Sequence, residues 1–238
     1  MDDVALISDN REDMGKMLLI TQEMASRYRI EFGKEKSKTM CIAVKNHNPF
    51  NLGQQQLDIC RKYKYLGRVM DQDNKGKEHI NEVKCKAEGA LQTILAIAGN
   101  PDLKGIEMKI MWQLLEACIM PIITYTTETI FNNSTFEKEI SRILDNLIKR
   151  ILMVPVTTPT DIIYAEVGIM NTTRNMYMKK INMLKRIKTK GSEMLKDIIE
   201  SENNTWRKEV EKILKTINTN LDASKRMIKN KIIEKWEN

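Results

Sequence analysis

No two of the four cysteines, Cys41, Cys60, Cys85 and Cys118, stand close enough to make a CxxC unit. The two histidines, His47 and His79, extend none of them. This spacing argues against a zinc site and fits free thiols in a reducing compartment. A long apolar run is missing as well. The longest, ACIMPIITY, is too short to span a bilayer. Nor does the start read as a signal peptide, because an Asp pair precedes an apolar run of only a few residues. Together these absences predict an intracellular protein, nuclear or cytoplasmic, with no membrane partner.

What is present is enough for a substantial core. The chain has 238 residues with ordinary apolar content, which supports one large domain or two small ones. Its net charge is +7, which leans toward acidic partners such as nucleic acid. The lean is modest, because 32 acids are mixed among 39 bases.

The N-terminal third reads as α/β. VALIS (residues 4–8) is a continuous apolar run that reads as a buried strand. Asp9 and Glu12 have capping-box spacing and predict a helix behind them. Its inward face would be Met14, Met17, Leu18, Thr21, Met24, Ala25 and Tyr28, with Gly33 as the break. KTMCIAV (residues 38–44) reads as a strand. YKYLGRVMD reads as another, with Tyr63 and Tyr65 on one face. From Glu78 onward the pattern turns helical. Stripes predict helices from Glu78 to Ala98, Ile106 to Met120 (stopped by Pro121), Phe136 to Met153 and Met176 to Lys188. Two more, Trp206 to Ile217 and Ser224 to Trp236, are expected to dock loosely. The fold class expected is α+β, a few antiparallel strands and one helix followed by a mostly helical region.

The order of short motifs carries a more specific reading. MDDVALIS opens the chain, EKSKTM follows the first helix, and YKYLG comes next. Then come EHINEVKCKAEGAL, LKGIEMKIMWQLLEACIMPIITYTTET and PVTTPTDIIYAEVGI. This series resembles the reverse transcriptases of non-LTR, LINE-like retrotransposons from the later palm onward, thinning after about Lys190. Asp2 and Asp3 match the family's Asp-Asp, and Val4 to Ser8 its apolar run. Lys36, Ser37 and Lys38 match its lysine-containing turn. Tyr65, Leu66 and Gly67 match its primer-grip hairpin. Tyr125, Glu128 and Thr129 stand where the family's helical segment has the same residues.

The resemblance implies a partial palm over 1–76, a helical thumb over 77–155 and a helical connector over 156–238. It implies RNA-directed DNA polymerase chemistry with Mg²⁺ held by Asp2 and Asp3, on an RNA template and a DNA primer. Lys36 or Lys38 would protonate the departing pyrophosphate, and a solvated basic turn is the alternative for both. Tyr65, Leu66 and Gly67 would hold the primer end. Lys84, Lys86, Lys179, Lys180, Lys185 and Arg186 are the candidates for phosphate contact, with a solvated helix face as their alternative. The family's fingers, its preceding hairpin strand and its other essential carboxylate are not matched. The expectation is therefore a fragment, inactive by itself and catalytic in a full-length parent. A non-catalytic nucleic-acid-binding module and a helical interaction scaffold are the other readings.

Overall fold

The structure is a computed structural model. It describes residues 4–33, 35–42, 48–73, 76–99, 107–130, 134–168 and 172–237. The chain is mostly helical, about 64%, with a few short strands in small sheets, so its class is α+β. It divides into two units, residues 1–79 and 80–238.

In the first unit, residues 4–8 form no strand. Val4 is 61% exposed and Ile7 83%. A strand needs a neighbouring ladder, and no described segment supplies one here. The first helix, α1 (Arg11–Tyr28), is capped one residue later than its spacing suggests. Asn10, not Asp9, is the N-cap, and its side chain accepts from the Asp13 amide at 2.8 Å. The helix ends before Gly33, on Arg29 in the left-handed region (φ +56°). Only Leu18 and Ala25 of its predicted face are buried, while Met17, Met24 and Tyr28 are exposed.

Among the described residues six strands follow: β1 (Lys38–Thr39), β2 (Asn51–Leu52), β3 (Gln55–Gln56), β4 (Asp58–Ile59), β5 (Lys62–Tyr65) and β6 (Arg68–Asp71). They pair as three separate two-stranded sheets. β2–β3 and β5–β6 are antiparallel, but β1–β4 is parallel, against the expectation of antiparallel strands throughout. The strand expected over 38–44 is two residues long, residues 40–42 are not strand, and 43–44 lie outside the described residues. The stretch read as one strand, YKYLGRVMD, is a hairpin. Gly53 opens the β2–β3 turn with φ +64°, a left-handed conformation that favours glycine over any residue with a Cβ.

The second unit is helical among its described residues. Helix α2 (Lys77–Ala98) begins at the unit boundary, and Val83, Ala87, Leu91 and Ile94 are its buried stripe. Helices α3 (Met108–Leu114) and α4 (Met120–Ile123) are joined by a π turn, Leu115–Ile119. Pro121 therefore does not stop the helix as expected. Proline cannot donate to the carbonyl four residues back and its ring crowds that carbonyl. The π turn, closed by the Met120 amide on the Leu115 carbonyl, widens the coil just before Pro121. Proline then stands at the first turn of α4, where a missing N–H costs nothing.

Helix α5 (Ser134–Ile151) buries Ile140, Ile143, Leu144, Leu147, Ile148 and Ile151, the face its periodicity predicts. After it come α6 (Thr160–Val167), α7 (Thr172–Lys190), α8 (Glu193–Glu200), α9 (Thr205–Thr216) and α10 (Lys225–Glu237). Two apolar cores result. The first joins α2 through α6 and takes Met176 from the start of α7. The second is built from Met178, Ile181, Leu184 and Ile187 of α7 with Ile199, Trp206, Val210, Ile213, Leu214, Ile228 and Ile232. The last two helices are thus docked, against expectation: α9 buries Trp206, Val210, Ile213 and Leu214 and α10 buries Ile228 and Ile232, each worth about 1.5–3 kcal/mol.

Candidate nucleic-acid interface

The β5–β6 hairpin is the most sharply shaped feature of the first unit. Its loop is two residues, Leu66 and Gly67, both at positive φ (+46° and +81°). That is the pattern of a type I′ turn, whose twist matches the strands it joins. Glycine suits such a position, and leucine does not. Leu66 is nevertheless there, with its side chain 63% exposed at the tip. Tyr63 and Tyr65 share one half-buried face of β5, alternating with exposed Lys62 and Lys64.

Contacts among the described residues hold this hairpin. The Tyr63 hydroxyl donates to the Lys36 carbonyl at 2.9 Å. The Val69 amide donates to Nδ1 of His79 at 3.4 Å, and His79 is buried, so its ring is the tautomer with Nδ1 free to accept. Lys62 pairs with Glu78 at 3.1 Å. The Lys36 turn itself is closed by the Lys36 and Ser37 amides, both donating to the Gly33 carbonyl. Thus the turn bearing Lys36 and the hairpin bearing Tyr65, Leu66 and Gly67 are tied together. The Lys36 and Lys38 side chains are exposed. Lys38 lies on β1, opposite Asp58 of β4. Its charge partly offsets the burial that pushes the Cys60 thiol up. Burial also lowers the Arg68 guanidinium, with Asp71 opposing it.

Asp2 and Asp3, the magnesium ligands that the resemblance implies, lie outside the described residues. Among the described residues, no three His, Cys, Asp or Glu side chains gather where they would hold a metal ion.

In the second unit the expected phosphate contacts differ sharply in their surroundings. Lys84 and Lys86 are exposed on α2, and Lys86 is paired with Glu82 at 2.6 Å. On α7, Lys179 donates to the Thr124 carbonyl at 2.8 Å, and burial pulls its ammonium down while Glu128 holds it up. Lys180 is only 1% exposed and is bound to Glu209 of α9. Lys185 donates to the Ala223 carbonyl at 3.0 Å. These three cations are spent inside the protein. Of these four α7 candidates, Arg186 alone is exposed.

Around Lys180 sits a polar cluster that no sequence pattern announced. Glu137 of α5 lies near both Lys180 and Glu209, and its Oε1 is buried without a hydrogen-bond partner. Burial pushes the Glu137 carboxyl up, Lys180 pulls it back, and Glu209 pushes the same way as burial. Burial also raises the Tyr177 phenol, to about 12, with Glu137 and Glu209 adding to the effect. The four groups come from three helices with no sequence spacing in common, so only the assembled bundle brings them together. Removing Lys180 would leave two carboxylates facing each other in a poorly hydrated site, a costly outcome.

No helix among the described residues is long and apolar enough to cross a membrane. Compared with models of known families, with curated proteins and with solved structures, the chain matches none.

Proposed function

We propose that this chain supplies the later palm, thumb and connector of a LINE-like reverse transcriptase, an enzyme that copies an RNA template from a DNA primer. The observation that carries this reading is the hydrogen bond from the Tyr63 hydroxyl to the Lys36 carbonyl. The resemblance singles out the lysine turn and the primer-grip stretch separately, and they are 27 residues apart in sequence. A polymerase needs both beside the primer end, and here one bond ties them. The tip at Leu66 and Gly67 offers backbone and an exposed apolar side chain to a nucleotide, and the Lys36 and Lys38 side chains are exposed to solvent. In this reading Lys36 or Lys38 gives the proton to departing pyrophosphate, and Tyr65, Leu66 and Gly67 orient the primer. Magnesium, when bound through Asp2 and Asp3, would supply charge neutralisation for nucleotidyl transfer.

Primer extension on an RNA template with Mg²⁺ tests the proposal. A polypeptide carrying this chain behind its natural upstream coding sequence is expected to extend the primer, and Asp2→Asn is expected to abolish extension. Undiminished extension by the Asp2→Asn protein would remove the metal assignment. No extension from any upstream-extended protein would remove the polymerase reading.

A further inference from the structure

Positive charge is not spread along this chain. Residues 172–238 hold 17 Lys and Arg against 9 Asp and Glu, a net charge of +8. The preceding 171 residues hold 22 against 23, a net charge of −1. The excess therefore belongs to helices α7 to α10, which share one apolar core.

The structure also separates spent cations from free ones. Lys180 is neutralised by Glu209, Arg207 by Glu211 and Lys231 by Glu234. Lys185 is anchored on the Ala223 carbonyl. By contrast, the side chains of Arg186, Lys188 and Lys190 on the last turns of α7 are exposed. So are those of Lys225, Arg226 and Lys229 on the first turns of α10. None of the six forms an ion pair with a described residue. The bond from Lys185 to Ala223 clamps the loop leading into α10 against the C-terminal half of α7. The two groups of three flank this clamp in sequence, and the acid of that loop is Asp222; Lys188 also borders Lys196 and Glu200 of α8.

We infer that the junction of α7 and α10 is a nucleic-acid docking surface, with Arg186, Lys188, Lys190, Lys225, Arg226 and Lys229 contacting the phosphodiester backbone. Like charges held together in the folded state repel one another, and a polyanion relieves this while releasing its counterions. An anionic membrane fits less well. Membrane-surface helices need an exposed apolar face to insert. The apolar faces of α7 and α10 are buried in the core, at Ile181, Leu184, Ile187, Ile228 and Ile232. Among the described residues of α10 a single exposed apolar one, Met227, stands between Arg226 and Lys229, too little to insert. The other exposed apolar residues here, Met194, Leu195 and Ile198, lie on α8, alongside Glu193, Asp197 and Glu200, which an anionic lipid surface repels. The inference rests on charge placement and not on polymerase chemistry, so it stands or falls separately from the reading above.

Fluorescence anisotropy of the whole chain with labelled 20-base-pair RNA–DNA hybrid, duplex DNA and single-stranded RNA tests it. Six phosphate contacts predict a slope of about −5 in log affinity against log salt, or about a thousandfold loss between about 50 and 200 mM. The triple variant R186Q/K188Q/K190Q, and likewise K225Q/R226Q/K229Q, is expected to bind at least about tenfold more weakly and to lower the slope by about half. A charge-matched control, K109Q/K138Q/R150Q, removes exposed cations elsewhere in the same unit and is expected to change affinity far less. The double variant R186K/R226K keeps the charge and is expected to retain binding. Circular dichroism melts verify that each variant is folded. Equal weakening by the control triple, or unchanged binding by both bundle triples, would overturn the inference. So would tighter binding to phosphatidylserine vesicles than to every nucleic acid.

Discussion

Two residues carry local conflicts that the rest of the fold tolerates. Leu66 holds φ +46° at a turn position that asparagine or glycine fills more easily. A left-handed conformation costs a leucine about 1–2 kcal/mol. Leu66→Asn is therefore expected to raise stability by about 1 kcal/mol, read as a higher urea midpoint with unchanged slope. If the tip serves a primer, that same variant should lose extension activity in the upstream-extended protein. Glu137 is the second conflict. Its carboxyl is raised above the ordinary value of 4.5, chiefly by burial. A raised carboxyl binds its proton more tightly folded than unfolded. Stability from this group is therefore fully present below the ordinary value and falls as pH rises through the raised one. Glu137→Gln is expected to flatten the loss of stability between about pH 4.5 and neutrality, measured by urea unfolding across that range. Burial also raises Asp145, which donates nothing but accepts from the Tyr164 hydroxyl, so part of the pH slope should remain. A slope unchanged by Glu137→Gln would show that the carboxyl is well hydrated.

Among elements, the Tyr63 hydroxyl joins the hairpin to the turn bearing Lys36. Tyr63→Phe keeps the ring on its half-buried face and removes only the hydroxyl. Hydrogen exchange is expected to speed up at Lys36 and Ser37, while the amides between β5 and β6 keep their protection. Faster exchange in both places would mean that the hydroxyl supports the hairpin itself. At this scale the longer helices were legible early, while the short α6 and α8 were not expected. The stripes of α2, α5 and α9 are regular, and their apolar positions are the buried ones. The strands were less so. Residues 4–8 have the composition of a strand and lack a partner, and composition does not supply the ladder. Pro121 signalled a stop, and the π turn before it absorbed the defect instead.

The whole molecule has two units, and within the second the two cores share α7. Met176 belongs to one core, and Met178, Ile181, Leu184 and Ile187 to the other. A helix cannot lose one face and keep the other in place, so the two cores should unfold together. Ile140→Ala in the first core and Leu184→Ala in the second are each expected to cost about 2–5 kcal/mol. Each should lower a single shared transition, followed by the fluorescence of Trp112 in one core and Trp206 in the other. Separate midpoints for the two tryptophans would show that α7 does not couple the cores.

The sequence by itself determined the helical stripes and the cysteine and histidine spacings. These depend on residues within a few positions of one another, where periodicity and φ preference act directly. The ordered motifs from Asp2 to Ile169 were also legible as a series, because order is a property of the chain. Tertiary structure alone decided which cations are free. Lys179, Lys180 and Lys185 read like Arg186 in the basic run, yet three end on Thr124, Glu209 and Ala223. Their partners come from segments 29 to 55 residues away, and whether a charge is satisfied depends on what the fold brings against it.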